Sequence, residues 1–230
     1  MSSDTHMAGP ARLSSAEQTR RALVRAALRL FGEKGFDGTS TREIAAAANA
    51  NIGSIAYHFG GKEGLRGACA EYIVSTMGQI AGSLLEDEAL AEDGKPDARQ
   101  AQALLLQVVE RMAGFVLARP EAGEIVGFLL RELQHPTSAL DTIYEGVFLP
   151  VHRRLCRVWE AATGEDAESE RTRITVFTLL GQVVYFRIGS EAVKRRMGWR
   201  EIGPQEAEIV AKAVKDNLAA MLARRRERPS

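Results

Sequence analysis

The chain has 230 residues, of which 45% are apolar and 26% charged, and its formal net charge is zero. A chain of this length can bury most of its apolar surface in one or two domains. Its two cysteines are too few for a disulfide framework and fit a reduced, cytoplasmic location. No apolar run reaches the roughly 20 residues that span a bilayer, so we expect no membrane segment. Residues 1–14 lack the apolar core of a secretory signal and are expected to form a disordered tail.

The first predicted helix covers residues 16–34 and should end near Gly35. Its apolar residues recur about every 3.6 positions, while four arginines lie around the other face. Those arginines fit a solvated face as well as a face that binds a polyanion. Residues 12–76 contain nine Lys or Arg and six Asp or Glu, so this segment carries 9 − 6 = +3 within a neutral chain. The excess is modest, and alone it would prove little about nucleic-acid binding.

Residues 40–59 predict two short helices joined by a tight turn. Ser40 and Glu43 have the spacing of a capping box, which starts the first of these helices. Asn49 tolerates left-handed backbone angles and can make the turn. Asn51 can cap the second helix, and a Gly-Gly pair stops it after residue 59. This arrangement predicts a helix-turn-helix.

Three segments here resemble the DNA-binding domain of the tetracycline-repressor (TetR) family of regulators. They read G-F-D-G-T-S-T-R-E-I-A at 35–45, G-S-I-A-Y-H-F at 53–59 and K-E-G-L at 62–65. This order of elements is hard to reach by chance: a Gly-Phe pair, a Thr-Ser cap, an Ile-Ala pair, a Tyr-His-Phe end and a Lys-Glu start. Two positions depart from the family pattern, since Asn49 replaces the usual turn glycine and Ala56 replaces a frequent tyrosine.

The resemblance covers about residues 15–70 and implies a function. Family members bind a palindromic operator as homodimers, usually as repressors, and release it when a small molecule enters the second domain. The matching positions imply a set of DNA-binding residues at the start of the motif's first helix, in and before its second helix, and at the start of the next helix. These are Thr41, Arg42, Asn51, Ile52, Gly53, Ser54, Tyr57, His58 and Lys62.

Lys62 begins a long predicted helix that should reach about residue 86 and connect the DNA-binding part to the rest of the chain. A lysine at a helix N-terminus is unfavourable with the helix dipole, so a nearby phosphate would explain it. The acidic, Gly- and Pro-containing segment 86–97 predicts a surface loop. From there onwards the pattern is helical, with a kink expected at Pro150. The further predicted helices span 98–118, 121–134, 139–162, 168–196 and 205–224.

The sequence therefore predicts an all-α fold of about nine helices with no strand. We expect a three-helix DNA-binding domain at 15–61 and a larger ligand-binding and dimerisation domain at 62–226. Segments 131–133, 149–155 and 180–183 also resemble, less specifically, the CerR-like subgroup of the TetR family.

The sequence shows none of the motifs that identify common catalytic sites, so we do not expect an enzyme or a cofactor. His152 and Cys156 have a spacing that could bind a metal, but a packed core pair is the better interpretation and no metal is expected. The adjacent charges Arg131-Glu132 could hold a ligand or form ion pairs between helices. The alternative to a ligand-released regulator is a helical interaction protein, or a DNA-binding protein without a ligand response.

The second domain carries two further expectations. Helix 168–196 is apolar on nearly all sides, so we expect it to pair with helix 205–224 across the two-fold axis of a homodimer. A small-molecule effector should enter a mostly apolar cavity between the middle helices, because aromatic and Met side chains suit a flat, hydrophobic guest. The candidate lining residues are Met77, Met112, Phe115, Phe128, Arg131, Tyr144, Phe148, His152, Trp159, Phe177 and Tyr185.

Overall fold

The structure is a computed structural model that describes residues 14–85 and 96–226. Almost all of the predicted N-terminal tail, most of the predicted acidic loop and the last four residues lie outside these ranges. The described part contains eleven α-helices and one π-helical turn, and no strand. The helices are α1 (Ser15–Lys34), α2 (Thr41–Ala47), α3 (Gly53–Phe59), α4 (Lys62–Leu85), α5 (Ala98–Ala118), α6 (Pro120–Gln134), α7 (Ser138–Ile143), α8 (Leu149–Thr163), α9 (Glu170–Ile188), α10 (Ser190–Met197) and α11 (Pro204–Arg226).

The all-α prediction is confirmed, and its helix count depends on how two junctions are treated. The π-helical turn Tyr144–Phe148 joins α7 directly to α8, so these three elements occupy the single helix predicted at 139–162. Gly189 alone separates α9 from α10, and together they occupy the helix predicted at 168–196. Counted this way, the described chain has the nine helical segments that the sequence predicts.

The π-helical turn lies just before Pro150, where the sequence predicts a kink. The N–H of Leu149 bonds the carbonyl of Tyr144, five residues back, instead of the carbonyl four residues back. Gly146 in this turn packs so closely on α4 that a Cβ atom there would lie 2.8 Å from the Val74 methyl groups. The irregular turn therefore lies in close contact with α4, and such turns often mark functional segments.

A first hydrophobic core joins the N-terminal helices to α6 and α7. Phe31 of α1, Leu65 of α4 and Phe128 of α6 are among its buried members. Helices α1 and α6 cross at Gly32 and Gly127, so closely that a Cβ on Gly32 would lie 3.0 Å from the Phe128 backbone nitrogen. The N-terminal helices are therefore packed directly on α6 as well as continued by α4.

A second hydrophobic core lies between α5, α8, α9 and α11. Leu105, Trp159 and Leu218 are among its buried side chains. Helix α5 is long and apolar enough by composition to cross a membrane, but one face of it packs against α8, α9 and α11. Arg187 of α9 fixes the end of α5, because its guanidinium donates to the carbonyls of Val116, Leu117 and Arg119.

Candidate nucleic-acid interface

The N-terminus of α2 is fixed by the predicted capping box. The Ser40 hydroxyl accepts the N–H of Glu43 at 3.2 Å, and the Glu43 carboxylate accepts the N–H of Ser40 at 2.9 Å. In the turn that follows, Asn49 is the only described non-glycine residue with a positive φ, 49°. Both predictions from local sequence, the capping box and the left-handed asparagine, are confirmed. Together they set the direction in which the chain enters α3.

Helix α3 is short and is held by one side of its surface. It begins at Gly53, its N-cap residue is Ile52, and no side chain caps it, so the predicted cap by Asn51 is wrong. The Asn51 side-chain oxygen instead accepts the N–H of Gly53 at 2.8 Å and holds the turn before the helix. Ile55 is only 1% exposed, and Phe59 packs against the same core. Gly60 adopts a left-handed conformation with φ 72° and ends the helix. These anchors leave the opposite side of α3 facing outwards.

The loop before α2 is anchored by a buried hydroxyl group. Thr39 is almost completely buried, and its hydroxyl donates to the carbonyls of Gly35 at 2.8 Å and Leu30 at 3.1 Å. A buried hydroxyl without such partners would be unfavourable, so this pair of bonds fixes the loop on the end of α1. The sequence analysis treated Thr39 only as part of a cap signal.

All nine residues that the sequence predicts to contact DNA are at least partly exposed. Tyr57 is 84% exposed and Ile52 is 49% exposed, which is unusual for large apolar side chains. The Tyr57 ring lies edge-on to His58, with ring centroids 4.9 Å apart. Five of the nine are exposed, namely Arg42, Asn51, Ile52, Gly53 and Tyr57, and four are half-buried, namely Thr41, Ser54, His58 and Lys62.

Ala56 is a position that the sequence analysis missed as a candidate contact. It is exposed, next to Tyr57 and one helical turn after Ile52. The spacing of four residues from Ile52 would have placed it on that side of the helix. A small apolar side chain at a groove-facing position can contact a thymine methyl group.

The cations of α1, α2 and α4 fall into two groups. Most of them form ion pairs with acidic residues of the same region. Arg25 and Arg42 form no ion pair with any residue that the structure describes, and Lys62 packs over the Phe36 ring with 4.2 Å between its Nζ atom and the ring centroid. The cations with acidic partners are Arg20, Arg21, Arg29, Lys34 and Arg66.

The contact of Lys62 with Phe36 changes how this lysine is explained. From the sequence, a nearby phosphate was the expected reason for a lysine at the start of α4. The ring of Phe36 provides an attractive partner within the chain itself, and the same ring also carries the guanidinium of Arg66 at 4.1 Å. Stacking leaves the charge of Lys62 without an acidic partner among the described residues, so it remains available to a phosphate.

The residues predicted to line an effector cavity are not brought together. Four of them pack in the first core and two in the second. Phe177 is 62% exposed and stacks on the nearly buried His152, with ring centroids 4.0 Å apart. The first core holds Met77, Phe115, Phe128 and Phe148, the second holds Met112 and Trp159, and Arg131, Tyr144, Phe177 and Tyr185 are exposed.

Two of the charged and polar candidates already have partners within the chain. Arg131 donates to the carbonyls of Gly32 and Glu33, so it caps the C-terminus of α1. His152 lies with Nε2 3.2 Å from the carbonyl oxygen of Arg173 and Nδ1 3.7 Å from the sulfur of Cys156. Burial raises the pKa of the Cys156 thiol to about 11, which keeps it protonated. No group of three or more metal-binding side chains occurs among the described residues.

Two concave regions differ in size and chemistry. A small apolar cavity of about 20 Å³ lies inside the second core beside Met112, Leu155 and Leu180, and it is too small for an organic ligand. A cleft of about 450 Å³ lies between the end of α1, the start of α4 and the end of α6. Phe128 and Arg131 are the two predicted effector contacts that line this cleft.

The sequence matches known families in two parts. Residues 23–69 match the model of the bacterial regulatory proteins of the TetR family, and residues 101–224 match the C-terminal domain of the HTH-type transcriptional dual regulator CecR. The chain is 35% identical to CecR of Shigella flexneri over 217 residues, which are 94% of this chain and 96% of the relative. It is 37% identical to the probable HTH-type transcriptional regulator YttP of Bacillus subtilis over 40% of each chain.

Solved structures share the fold at low sequence identity. A TetR-like transcriptional regulator from Rhodococcus sp. RHA1 superposes with a TM-score of 0.64 at 17% identity and covers 92% of this chain and 99% of its own. A TetR-family regulator from Mesorhizobium loti gives a TM-score of 0.55 at 19% identity, covering 91% and 98%. These structures therefore share the all-α fold of this chain.

Proposed function

Because the chain belongs to the TetR family of transcriptional regulators, in the CecR-like subgroup, we propose that it binds a palindromic DNA operator as a homodimer and acts there as a repressor. We further propose that a small hydrophobic or aromatic molecule releases it from the operator. The relative from Shigella flexneri is named a dual regulator, so an operator assay should be examined for activation as well as repression.

The observation that carries the proposal is the outward side of α3. Ile55 and Phe59 pack against the core and hold the helix there. The large side chains of Tyr57 and Ile52 face outwards and stay exposed. An exposed short helix of this kind fits the major groove of DNA. We propose that the nine exposed or half-buried residues named above form the DNA-binding surface, with Ala56 added to them.

Electrostatics supports two of these contacts in particular. Most cations of the region are used in ion pairs, whereas Arg25, Arg42 and Lys62 form none with the described residues. Arg25 lies in the middle of α1, so the position of Arg42 and Lys62 at helix starts distinguishes these two. Each lies in the first turn of its helix, where the helix dipole adds positive potential. Both are therefore proposed to bind phosphates, which position the protein without reading sequence. The Asn51 side-chain amide, whose oxygen accepts the N–H of Gly53, retains its N–H groups for DNA.

The homodimer is proposed from the surface of α9. Ile174, Phe177, Gly181, Tyr185 and Ile188 are all exposed, and their spacing of three or four residues places them along one side of the helix. A stripe of exposed large apolar residues on a helix is typical of an interface. Since α11 packs beside α9, both helices would meet their copies across the two-fold axis.

We propose the division into a DNA-binding domain at 15–61 and a ligand-binding and dimerisation domain at 62–226, in a protein that works in the cytoplasm. Related proteins are transcriptional regulators, and no catalytic role is proposed. A DNA-binding protein without a ligand response is the second candidate. The scatter of the predicted effector contacts between two cores and the surface favours it.

Fluorescence anisotropy with labelled DNA from upstream of the chain's own gene tests the DNA-binding proposal. Phosphate binding releases counterions, so about six contacts per dimer give a log–log salt slope near −5. The Lys62→Ala change should weaken binding to every sequence and flatten that slope by roughly 1 to 2 units per dimer. The exposed Lys212→Ala on α11 is a matched control and should bind like the wild type. Normal operator affinity in a Lys62→Ala, Tyr57→Ala double variant would contradict the assignment.

A further inference from the structure

The cleft of about 450 Å³ lies where the N-terminal helices meet α6, outside both the proposed DNA surface and the apolar cavity of the second core. Its volume is within the range of small-molecule sites, roughly 300–1,000 Å³. Phe31, Phe36 and Phe128 form an aromatic part of its lining, with ring centroids of the first two 5.3 Å apart. Of the three, Phe31 and Phe128 are buried and Phe36 is half-buried, so Phe36 provides the accessible aromatic surface. An apolar or aromatic body would therefore find a matching surface there.

The charges of the cleft are not equally available to a ligand. Lys34 is ion-paired with Glu43, Arg66 is paired with Glu63, and Arg131 donates to the carbonyls at the end of α1. All three cations of the lining thus already have acceptors. A ligand carboxylate or phosphate would have to compete with these bonds.

Glu132 is different, because it is a buried acid without a cation. It is only 5% exposed, lines the cleft and forms no ion pair with any described residue. The Glu132 carboxylate accepts a hydrogen bond from the neutral hydroxyl of Thr137 at 2.5 Å. A carboxylate normally accepts several bonds and is seldom buried without a cation. Burying such a group is costly, and a cationic guest would relieve that cost.

We propose that this cleft binds an amphiphilic amine, with the ammonium group on Glu132 and the apolar body against the half-buried Phe36, in front of the buried Phe31 and Phe128. The position of the cleft gives such binding a consequence for α3. The end of α1, clamped by Arg131, and the start of α4 both line the cleft and both contact the reading helices. A bound amine would therefore act on the orientation of α3, and this effector role rests on the DNA-binding function proposed above.

Binding is tested without DNA, using phenylbutylamine, phenylbutanol and phenylbutyrate as probes in calorimetry on the full chain. A charge-assisted hydrogen bond favours the amine over the alcohol by roughly tenfold to a hundredfold in Kd, and the butyrate should bind no better than the alcohol. In Glu132→Gln, which can still accept the Thr137 hydroxyl, the preference for the amine should fall to within about threefold. Glu124→Gln on the same helix is the matched control and should keep the full preference.

The comparison of the three probes on the wild type stands even where the variant folds poorly. Equal binding of amine and alcohol, tighter binding of the butyrate, or an undiminished preference in Glu132→Gln would overturn the site. A second arm measures operator release by saturating phenylbutylamine. Amine binding without release would overturn the effector role alone, while absence of operator binding before any amine is added would count against the DNA-binding function instead.

Discussion

At the scale of single residues, Glu43 predicts how stability depends on pH. The Ser40 N–H, then the Lys34 ammonium and the Ser40 hydroxyl, lower the pKa of Glu43 from 4.5 to about 2. A carboxylate whose pKa is lowered in the folded state stabilises it above the unfolded pKa and loses this effect as pH falls through the folded value. Thermal unfolding of wild type and Glu43→Gln should therefore differ at pH 6, and the difference should shrink between about pH 4.5 and pH 2.

The exposed Glu208→Gln on α11 is the control for this experiment, because its carboxylate forms no ion pair with the described residues. Its melting temperature should follow that of the wild type at each pH. A Glu43→Gln difference that is the same at pH 6 and pH 2 would show that the capping box does not depend on the charge of Glu43.

The residues of the candidate site differ in how far the sequence could predict them. The Ser40–Glu43 box and the left-handed Asn49 were predictable, because each depends on residues a few positions apart. The contact of Lys62 with Phe36 was not predictable, since it depends on how α4 packs against the loop after α1. For the same reason Arg131 could be recognised as a charge on an apolar helix but not as the cap of α1.

At the scale of helices, boundaries were easier to predict than irregular turns. Pro120 begins α6 because its ring fixes φ, and Gly164 ends α8 because glycine readily adopts the left-handed conformation, so both ends have a local cause. Pro150 predicts a kink near residue 150, but nothing in the local sequence specifies that the irregularity is the π-helical turn at Tyr144–Phe148. It lies where Gly146 meets Val74 of α4, so it depends on a tertiary contact that periodicity does not reveal.

The junction of α3 and α4 gives a prediction at this scale. A Cβ at Gly64 would lie 1.8 Å from the carbonyl oxygen of Phe59, so Gly64→Ala must displace the end of α3. Overpacking of this severity should lower the free energy of unfolding by about 3 kcal/mol or more. Gly67→Ala, one turn later with no atom within 4 Å, should instead be neutral or add about 0.5–1 kcal/mol.

Urea denaturation of both variants measures this difference, and operator affinity measured in the same preparations shows its effect on α3. Equal stability of Gly64→Ala and Gly67→Ala would mean that the close approach of α3 and α4 is not maintained in solution. A folded Gly64→Ala with weakened DNA binding would instead show that the position of α3 depends on this glycine.

At the scale of the whole molecule, periodicity identified apolar residues but not where each of them lies. Phe177 and Tyr185 were predicted from the sequence to line an internal cavity. Both are exposed, because no described element covers most of that side of α9. Trp159 and Phe128 were predicted to line the same cavity, but they are completely buried in two different cores. A helix that is apolar on all sides indicates burial, but the sequence alone does not tell whether its own chain or a second copy provides the cover.

The exposed side of α9 leads to the prediction for assembly, which should be a homodimer in solution. A four-helix interface of α9 and α11 would bury about 1,600 Å² in total, the size of a standard stable interface.

Leu180 lines the internal cavity of the second core, so Leu180→Glu would mix effects on folding with effects on assembly. Gly181 is the sharper site, because a Cβ there meets no atom within 4 Å and the folded protomer can accept a larger side chain. Gly181→Glu should place an unpaired charge in the interface at a cost of about 3–5 kcal/mol and give a folded monomer at micromolar concentration by sedimentation velocity. Gly114→Glu on the exposed side of α5, equally free of neighbours, should remain dimeric. A monomeric wild type, or a dimeric Gly181→Glu, would place the two-fold axis elsewhere or remove it.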